Sequence, residues 1–263
     1  MSLDLFNLTG KIALVTGSTQ GLGHSIARGL GAAGATIILN GRSEEKLRTA
    51  VEIFRAERID AYGYAFDVTD ETSVVDNLEK IGNELGAIDI LVNNAGTTKR
   101  VSLIDMEVAD FARIIDIDLV SPFIVSKHAA QRMIARGHGK IINICSMMSE
   151  LGRNSVGAYA AAKGGLKMLT QSMATEWAKY NIQINGIGPG YFATELTASL
   201  TKQGNPFNDF IINRTPAGRW GDPDELQGAA IFLASSASDF VNGHILYVDG
   251  GILATIGKPS NEA

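Results

Sequence analysis

The feature that most limits the fold of this chain is a series of seven short apolar runs separated by segments of helical length. The runs lie at 11–17, 35–40, 61–67, 88–94, 140–146, 182–188 and 244–250. Several are almost wholly apolar, which is typical of strands buried on both faces of a parallel sheet. The repeated strand–helix order predicts an α/β fold. We expect a doubly wound, Rossmann-type parallel sheet of about seven strands with helices on both faces.

The segments between the runs contain signals for helix starts. Ser43, followed by two glutamates, predicts one start, because its hydroxyl can accept a backbone N–H and acids favour the first turn. A second helix is expected to begin near Asp70. The stretch 106–136 is long enough for one helix or two, and Pro122 is the expected position of a kink.

No linker rich in proline, serine or charge interrupts the 263 residues, so a single domain over 1–263 is predicted. The stretch 191–221 departs from the regular pattern, since it is rich in glycine, proline and polar residues. This composition predicts an insertion beside the sheet. We interpret it as a mobile lid over a substrate site.

Composition argues against several classes of function. The net charge is −5 and no basic tract is present, which is unfavourable for nucleic-acid binding because that affinity depends on neutralising phosphates. No apolar run approaches the ~18 residues of a membrane span, and the N-terminus lacks a signal-peptide pattern. A cytoplasmic protein without a membrane partner is therefore expected. The one cysteine, Cys145, is interpreted as a buried thiol, and four scattered histidines argue against a metal site.

The first apolar run ends in the glycine-rich segment TGSTQGLG, and a helical pattern follows directly. Glycines at such a turn let the chain bend tightly and let backbone N–H groups approach a diphosphate at the helix N-terminus. The context predicts dinucleotide binding, although a glycine-rich turn alone is weak evidence. The residues assigned to this loop are Gly17, Ser18, Gln20, Gly21, Leu22 and Gly23.

The second apolar run is followed by Gly41 and Arg42, with no acidic residue at the position that would bind the adenosine ribose 2′-hydroxyl of NAD. An arginine there can pair with a 2′-phosphate. The sequence therefore favours NADP(H), with NAD(H) as the second possibility. The alternative is that Arg42 is a solvated residue of a turn.

Five motifs in register resemble one known family. They are GSTQGLG, the NNAG at 93–96, Ser146, the Y-x-x-x-K of Tyr159 and Lys163, and the PG at 189–190. Together they resemble the short-chain dehydrogenases/reductases, and the resemblance covers nearly the whole chain. It implies an oxidoreductase that transfers a hydride between a CH–OH group and a nicotinamide cofactor.

The resemblance implies that Tyr159 is the base in alcohol oxidation and the acid in ketone reduction. A free tyrosine titrates near ~10, so it must be activated to work near neutrality. Lys163 lies one helical turn further on and would favour the phenolate, besides binding the nicotinamide ribose as in the family. Ser146 would hydrogen-bond the substrate oxygen. A tyrosine and a lysine at this spacing are, taken alone, more often a surface helix contact.

The resemblance also implies contacts between further residues and the cofactor. They are Asp67 and Val68 beside the adenine, Asn94 and Gly96 near the adenosine ribose, and Pro189, Gly190, Phe192 and Thr194 beside the nicotinamide amide. For the first four residues turn chemistry is an equally good explanation, and for the last four the alternative is a strand-end turn.

One residue departs from the family pattern. The family usually has an asparagine in N-L-x-x-x-F that helps to hold a proton-relay water, and this chain has Asp118 in the run DIDLVSPF. An aspartate keeps the acceptors and loses the amide donors. A catalytic part for Asp118 is therefore an expectation, with a role for its backbone carbonyl as the alternative.

Within the family, segments such as NGR at 40–42 and SMMSELGR at 146–153 look like those of gluconate 5-dehydrogenases. This likeness implies NADP-dependent interconversion of D-gluconate and 5-keto-D-gluconate. Arg100 and Arg153 are candidates for holding the carboxylate of a sugar acid, and Glu150 for accepting bonds from its hydroxyls. Each of the three charges has a solvated surface residue as its alternative.

Two other functions stay open at this point. One is a different short-chain carbonyl reductase, such as a 3-oxoacyl-carrier-protein reductase, and the other is a non-catalytic dinucleotide sensor. The latter is disfavoured because both the tyrosine and the lysine are present. The C-terminal stretch 244–257 and the helices expected at 106–136 and 155–179 resemble family interfaces, so a homotetramer is expected over a dimer.

Overall fold

The computed structural model describes residues 2–257, and its centre is a sheet of seven parallel strands. Strand order across the sheet is β3-β2-β1-β4-β5-β6-β7, and every neighbouring pair is parallel. The strands are β1 (Ile12–Val15), β2 (Thr36–Gly41), β3 (Ala61–Ala65), β4 (Ile90–Asn93), β5 (Gly139–Ile144), β6 (Ile182–Pro189) and β7 (Ile245–Val248). Each predicted run forms one strand, and the predicted fold class is confirmed. Residues 1 and 258–263 of the predicted domain lie outside the described part.

Eight α-helices connect the strands within residues 2–257. They are α1 (Gly21–Ala32), α2 (Glu44–Ala56), α3 (Glu71–Glu84), α4 (Val108–Ile115), α5 (Ser121–Arg136), α6 (Gly157–Trp177), α7 (Pro206–Arg214) and α8 (Gln227–Ala234). No helix in this range combines the length and apolar character that crossing a membrane requires.

The predicted helix starts agree with the structure. The side chain of Ser43 accepts the backbone N–H of Lys46 at 3.3 Å, and Asp70 accepts that of Ser73 at 3.2 Å. The stretch 106–136 contains two helices joined by a π-helical turn, Asp116–Val120, and Pro122 lies in the first turn of α5. Proline fits there because it needs no hydrogen-bond acceptor for a missing N–H.

Both faces of the sheet are buried, which explains why the strands are continuous apolar runs. Neighbouring residues of a strand point to opposite faces. Leu14 and Leu91 therefore pack in one cluster with residues of α3 and α5, while Val15 and Val92 pack in another with residues of α1 and α8. Cys145, directly after β5, is 1% exposed, and burial raises the pKa of its thiol to about 11. The buried-thiol interpretation is confirmed.

Strand order reverses between β1 and β4, because β1 pairs with β2 on one side and with β4 on the other. In sheets of this type the loops at the carboxyl ends of these two strands diverge and leave a crevice. The segment 191–221 follows β6 at the same edge. Its two ends are joined by a bridge between Phe192 and Gly221, and α7 lies inside it.

Candidate active site

The glycine-rich loop has the backbone shape that a closely approached diphosphate needs. Gly17 and Gly21 have φ of +60° and +64°, a region that favours glycine. A Cβ on Gly23 would lie 2.2 Å from Nδ2 of Asn94, so no larger residue fits without displacing that side chain. The first turn of α1 receives no side-chain cap from Gln20, so its N–H groups are free to hold an anion.

Asn94 and Ser18 fix this loop from inside the protein. Nδ2 of Asn94 donates to the carbonyl oxygens of Thr16 and Gly17, both at 2.9 Å. The hydroxyl of Ser18 is buried and donates to the carbonyl of Val15 at 2.7 Å. Both residues were expected to contact the cofactor. In the structure their side chains form hydrogen bonds to backbone carbonyls at the loop itself.

A groove of about 680 Å³ lies beside the glycine-rich loop, between α1, α2 and the start of the 191–221 segment, and its lining does not include Ser146, Tyr159 or Lys163. Gln20 and Gly21 line one side and Thr194 lines the other. Pro189 ends β6, and the Gly190 N–H donates to the carbonyl of Val248 at 2.9 Å. The diphosphate of a nicotinamide dinucleotide fits at this position, because the uncapped start of α1 lies at the carboxyl end of the sheet and can hold an anion.

The far end of the crevice carries the residues expected near the adenosine. Nη1 of Arg42 lies 3.7 Å from Oδ2 of Asp67, and the Arg42 side chain is 72% exposed. Burial raises the pKa of Asp67, but hydrogen bonds from Thr69 and the charge of Arg42 outweigh it and hold that pKa low. Val68 is buried beside them, and Gly41 ends β2. The structure therefore brings these four predicted residues to one corner.

Ser146, Tyr159 and Lys163 meet at the carboxyl end of β5. Ser146 is buried, Tyr159 lies in the first turn of α6, and Nζ of Lys163 lies 5.5 Å from the centre of the Tyr159 ring. Burial raises the pKa of Tyr159, while the charge of Lys163 and a hydrogen bond with Ser146 lower it. Lys163 acts in the expected direction, but burial prevails and the pKa of Tyr159 is raised.

Asp118 belongs to the same buried group. Its Oδ1 lies 3.1 Å from Nζ of Lys163, and its Oδ2 accepts the backbone N–H of Thr97 at 2.9 Å. Burial raises the pKa of Asp118, and its carboxylate helps to raise the pKa of Lys163 against the effect of burial. Its charge also raises the pKa of Tyr159. An asparagine at this position would have neither electrostatic effect. Gly96 lies next to this carboxylate.

Ser149 is a member of the site that the sequence interpretation missed. Its hydroxyl donates to the carbonyl of Lys163 at 2.8 Å and accepts the backbone N–H of Ser146 at 3.3 Å. It therefore fixes the turn that carries Ser146 relative to α6. The S-x-x-S spacing at 146–149 is the signal that could have found it, because it is a capping-box pattern.

The two arginines expected to hold a carboxylate converge on one aromatic ring. The guanidinium carbons of Arg100 and Arg153 lie 5.1 Å and 5.0 Å from the centre of the Phe207 ring, and Arg153 also lies 6.0 Å from that of Tyr191. Neither arginine forms an ion pair with any residue in 2–257. Tyr191 packs on the same apolar cluster as Tyr159, so the two positive charges lie near the catalytic group.

Glu150 has other partners. One of its oxygens, Oε1, accepts hydrogen bonds from Nζ of Lys167 and from the hydroxyl of Tyr247, both at 2.6 Å. These bonds lower the pKa of Glu150 and link α6 to β7. The structure does not pair Glu150 with Arg100 or Arg153. Its other oxygen, Oε2, is the atom left for a substrate hydroxyl.

A family model described as enoyl-(acyl carrier protein) reductase, from the short-chain dehydrogenases/reductases, matches residues 17–253. A 2-dehydro-3-deoxy-D-gluconate 5-dehydrogenase from Formosa agariphila is 69% identical over 263 residues and matches all of both chains.

Two solved structures are similar in both fold and sequence. A gluconate 5-dehydrogenase from Burkholderia cenocepacia, in complex with NADP and tartrate, is 50% identical with a TM-score of 0.94, and 97% of this chain and 100% of that chain are covered. A 2-keto-3-deoxy-D-gluconate dehydrogenase from Streptococcus agalactiae is 56% identical with a TM-score of 0.85, covering 97% and 98%. With these matches and its seven-stranded parallel sheet, the chain belongs to the short-chain dehydrogenase/reductase family of oxidoreductases that act on CH–OH groups.

Proposed function

We propose that this oxidoreductase uses NADP(H) to interconvert a hydroxyl and a ketone at carbon 5 of a six-carbon sugar acid. The observation that carries the proposal is the pair of arginines, Arg100 and Arg153, that lack a carboxylate partner in the described chain and converge near Tyr159. Two unpaired guanidinium groups favour a small anion with a planar carboxylate. The similar proteins are named for substrates that are acids of this kind.

The proposed chemistry divides between the cofactor and the buried group. When bound, NADP⁺ would supply the hydride acceptor, so that the alcohol and NADP⁺ would give the ketone, NADPH and a proton. Tyr159 takes the hydroxyl proton, and Ser146 holds the substrate oxygen by a hydrogen bond. Lys163 stabilises the phenolate of Tyr159, and Asp118 keeps Lys163 charged. In reduction the same proton returns from Tyr159 to the ketone oxygen.

NADP(H) is proposed over NAD(H) because of Arg42. Its guanidinium is largely exposed and, among residues 2–257, its one ion-pair contact is a long one of 3.7 Å with Asp67, so it is available to a 2′-phosphate. The similar structure from Burkholderia cenocepacia contains NADP, which supports this choice. Gly17, Gly21 and Gly23 are proposed to hold the diphosphate, because Gly17 and Gly21 adopt φ values that favour glycine and Gly23 leaves no room for a Cβ beside Asn94.

Two sugar acids are proposed as substrates. 2-Dehydro-3-deoxy-D-gluconate comes first, since the relative that is 69% identical over the full length is a 5-dehydrogenase of that acid. D-Gluconate, with 5-keto-D-gluconate as its product, comes second and is supported by the 50% identical structure. Both acids carry a carboxylate at carbon 1 and a hydroxyl at carbon 5. The same two arginines can therefore bind the carboxylate of either acid while Tyr159 takes the proton of its hydroxyl.

The test is the initial rate of NADPH formation at 340 nm with each acid, and with NAD⁺ in place of NADP⁺. We expect turnover of at least one of the two acids, a higher kcat/KM for 2-dehydro-3-deoxy-D-gluconate, and a preference for NADP⁺. Absence of turnover with both acids would refute the proposed function. Arg42→Asp checks the cofactor separately, because an unchanged NADP/NAD preference in that variant would refute the assignment.

We also propose that 191–221 closes over the substrate and that the chain assembles as a homotetramer. The first proposal is supported by Thr194 and Phe207, which lie in this segment beside the groove and the arginines. The second is supported by large apolar side chains left exposed on α5 and α6, among them Phe123 and Met168. Analytical ultracentrifugation at micromolar concentration gives the assembly directly.

A further inference from the structure

Phe207 contacts both arginines of the proposed carboxylate site, although its type and position gave no reason to select it from the sequence. Its ring centre lies 5.1 Å from the guanidinium carbon of Arg100 and 5.0 Å from that of Arg153. These distances are in the range of cation–π attraction. The two arginines belong to loops after β4 and β5, more than 50 residues apart in the chain, and Phe207 belongs to α7.

The ring itself is held in place by its own surroundings. Asn205 caps α7 by accepting the backbone N–H of Phe207 at 2.9 Å. Trp220 lies 6.4 Å from the Phe207 ring, and its Nε1 donates to Oδ1 of Asn208 at 2.8 Å. Tyr191 meets Phe207 edge to face at 5.9 Å. These contacts hold the Phe207 ring in place, so the ring can order the long side chains of the two arginines.

The guanidinium groups themselves have little else to order them. Nε of Arg153 is buried without a hydrogen-bond acceptor in the described chain, and Arg100 is exposed without an ion-pair partner there. Two like charges that approach one ring repel each other, and an anion between them removes that repulsion. Two unpaired cations therefore share one ring. They lie beside Tyr191, whose phenol interacts electrostatically with Arg153, Arg100 and Tyr159.

We propose that Phe207 is the positioning residue of the carboxylate site: its ring sets the placement of Arg100 and Arg153 so that both receive the carboxylate of the substrate. The inference rests on the proposed function in that the ligand is a sugar acid. Within residues 2–257, the ring contacts, cation–π contacts and hydrogen bonds of Phe207 involve neither the glycine-rich loop nor Tyr159. It therefore acts on acid binding and leaves the chemical step and the cofactor unaffected.

The test measures the Kd of tartrate by calorimetry on the full chain saturated with NADP⁺, since tartrate is a small hydroxy acid that needs no turnover. Phe207→Ala and Phe207→Leu are each expected to weaken tartrate binding about tenfold, because both remove the ring that attracts the cations. Phe207→Tyr keeps the ring and is expected to bind tartrate within about twofold of the parent. Ile212→Ala, on the same helix, is the matched control and is expected to leave the Kd unchanged.

A double-mutant cycle separates positioning from general packing. In an Arg153→Ala background, Phe207→Ala is expected to weaken tartrate binding only about threefold, because one of the two contacts is already lost. The Kd of NADP⁺ is expected to be unchanged in every variant. An equal loss in both backgrounds, or wild-type affinity in Phe207→Leu, would overturn the inference.

The outcome is independent of which acid is oxidised. If the parent protein binds tartrate but oxidises neither sugar acid, the proposed function fails while the role of Phe207 is still decided by the cycle. If the parent oxidises a sugar acid and the Phe207 variants bind tartrate as the parent does, only the positioning role fails. A parent protein that binds no tartrate at all would contradict the carboxylate site itself.

Discussion

The cofactor groove and the proposed carboxylate site are built in different ways. The groove is defined by backbone: Gly17 and Gly21 adopt φ values that favour glycine, and Asn94 fixes the loop through two carbonyl oxygens. The carboxylate site is defined by side chains, since Arg100 and Arg153 come from separate loops and meet at a ring on α7. The first is held by backbone conformation and hydrogen bonds to backbone carbonyls, whereas the second depends on side-chain contacts that single substitutions remove.

Removing one arginine is the strongest way to break the carboxylate site and leave the groove intact. We expect Arg100→Ala to raise the KM for the sugar acid about a hundredfold, because a charge-assisted contact to the carboxylate is lost. The KM for NADP⁺ is expected to stay unchanged, since Arg100 lies outside the glycine-rich loop. Steady-state kinetics with each substrate varied in turn measures both values. An unchanged KM for the acid would remove Arg100 from the site.

The converse change breaks the groove. Gly23→Ala places a methyl group 2.2 Å from Nδ2 of Asn94 in the present geometry, so the bond network behind the loop must shift. We expect the KM for NADP⁺ to rise about tenfold and the free energy of unfolding to fall by about 1–3 kcal/mol, the usual cost of overpacking. The KM for the acid is expected to change little.

Gly228→Ala is the matched control for that variant. Gly228 lies in α8, and a Cβ there would meet no atom within 4 Å. Alanine is expected to stabilise the helix by about 0.5–1 kcal/mol without changing either KM. Thermal unfolding and kinetics on both variants check the pair. Equal cofactor KM values in Gly23→Ala and Gly228→Ala would show that the groove tolerates a side chain.

A smaller effect, on the pH dependence of oxidation, is expected from substitution of Asp118 in the buried catalytic group. The charge of Asp118 raises the pKa of Tyr159, so Asp118→Asn lowers that pKa. Oxidation needs Tyr159 deprotonated and therefore rises with pH through this pKa. The acid limb of the oxidation profile is therefore expected to move to lower pH. A pH profile of kcat measures the shift. An unmoved acid limb would refute the electrostatic role of Asp118, and movement to higher pH would show that loss of charge on Lys163 outweighs the direct effect on Tyr159.

Backbone-driven features were predictable from the sequence. The seven apolar runs predicted seven strands, because strands buried on both faces have little freedom in composition. Ser43 and Asp70 marked helix starts, since a capping side chain acts on N–H groups two or three residues away. Likewise the glycine pattern predicted the loop after β1. Each of these signals is local in the chain.

Features made by distant side chains were not predictable. Nothing in the run DIDLVSPF indicates a π-helical turn, or that Asp118 pairs with Lys163 at 3.1 Å. Glu150 looked free, yet Lys167 and Tyr247 occupy one of its oxygens, and Tyr247 lies almost a hundred residues away. Phe207 was one aromatic residue within an irregular segment. Such contacts depend on which loops lie next to each other in the fold, and residue spacing in the sequence does not indicate this.

In the proposed division of roles, the two arginines select an acid, while the bound cofactor and Tyr159 carry out the redox step. The most direct test compares NADPH formation from the two proposed sugar acids with that from sorbitol, a neutral polyol that has the hydroxyls of gluconate and no carboxylate. We expect kcat/KM for the preferred acid to exceed that for sorbitol by about a hundredfold or more, the effect of losing charge-assisted contacts. Equal kcat/KM values for acid and polyol would contradict the claim.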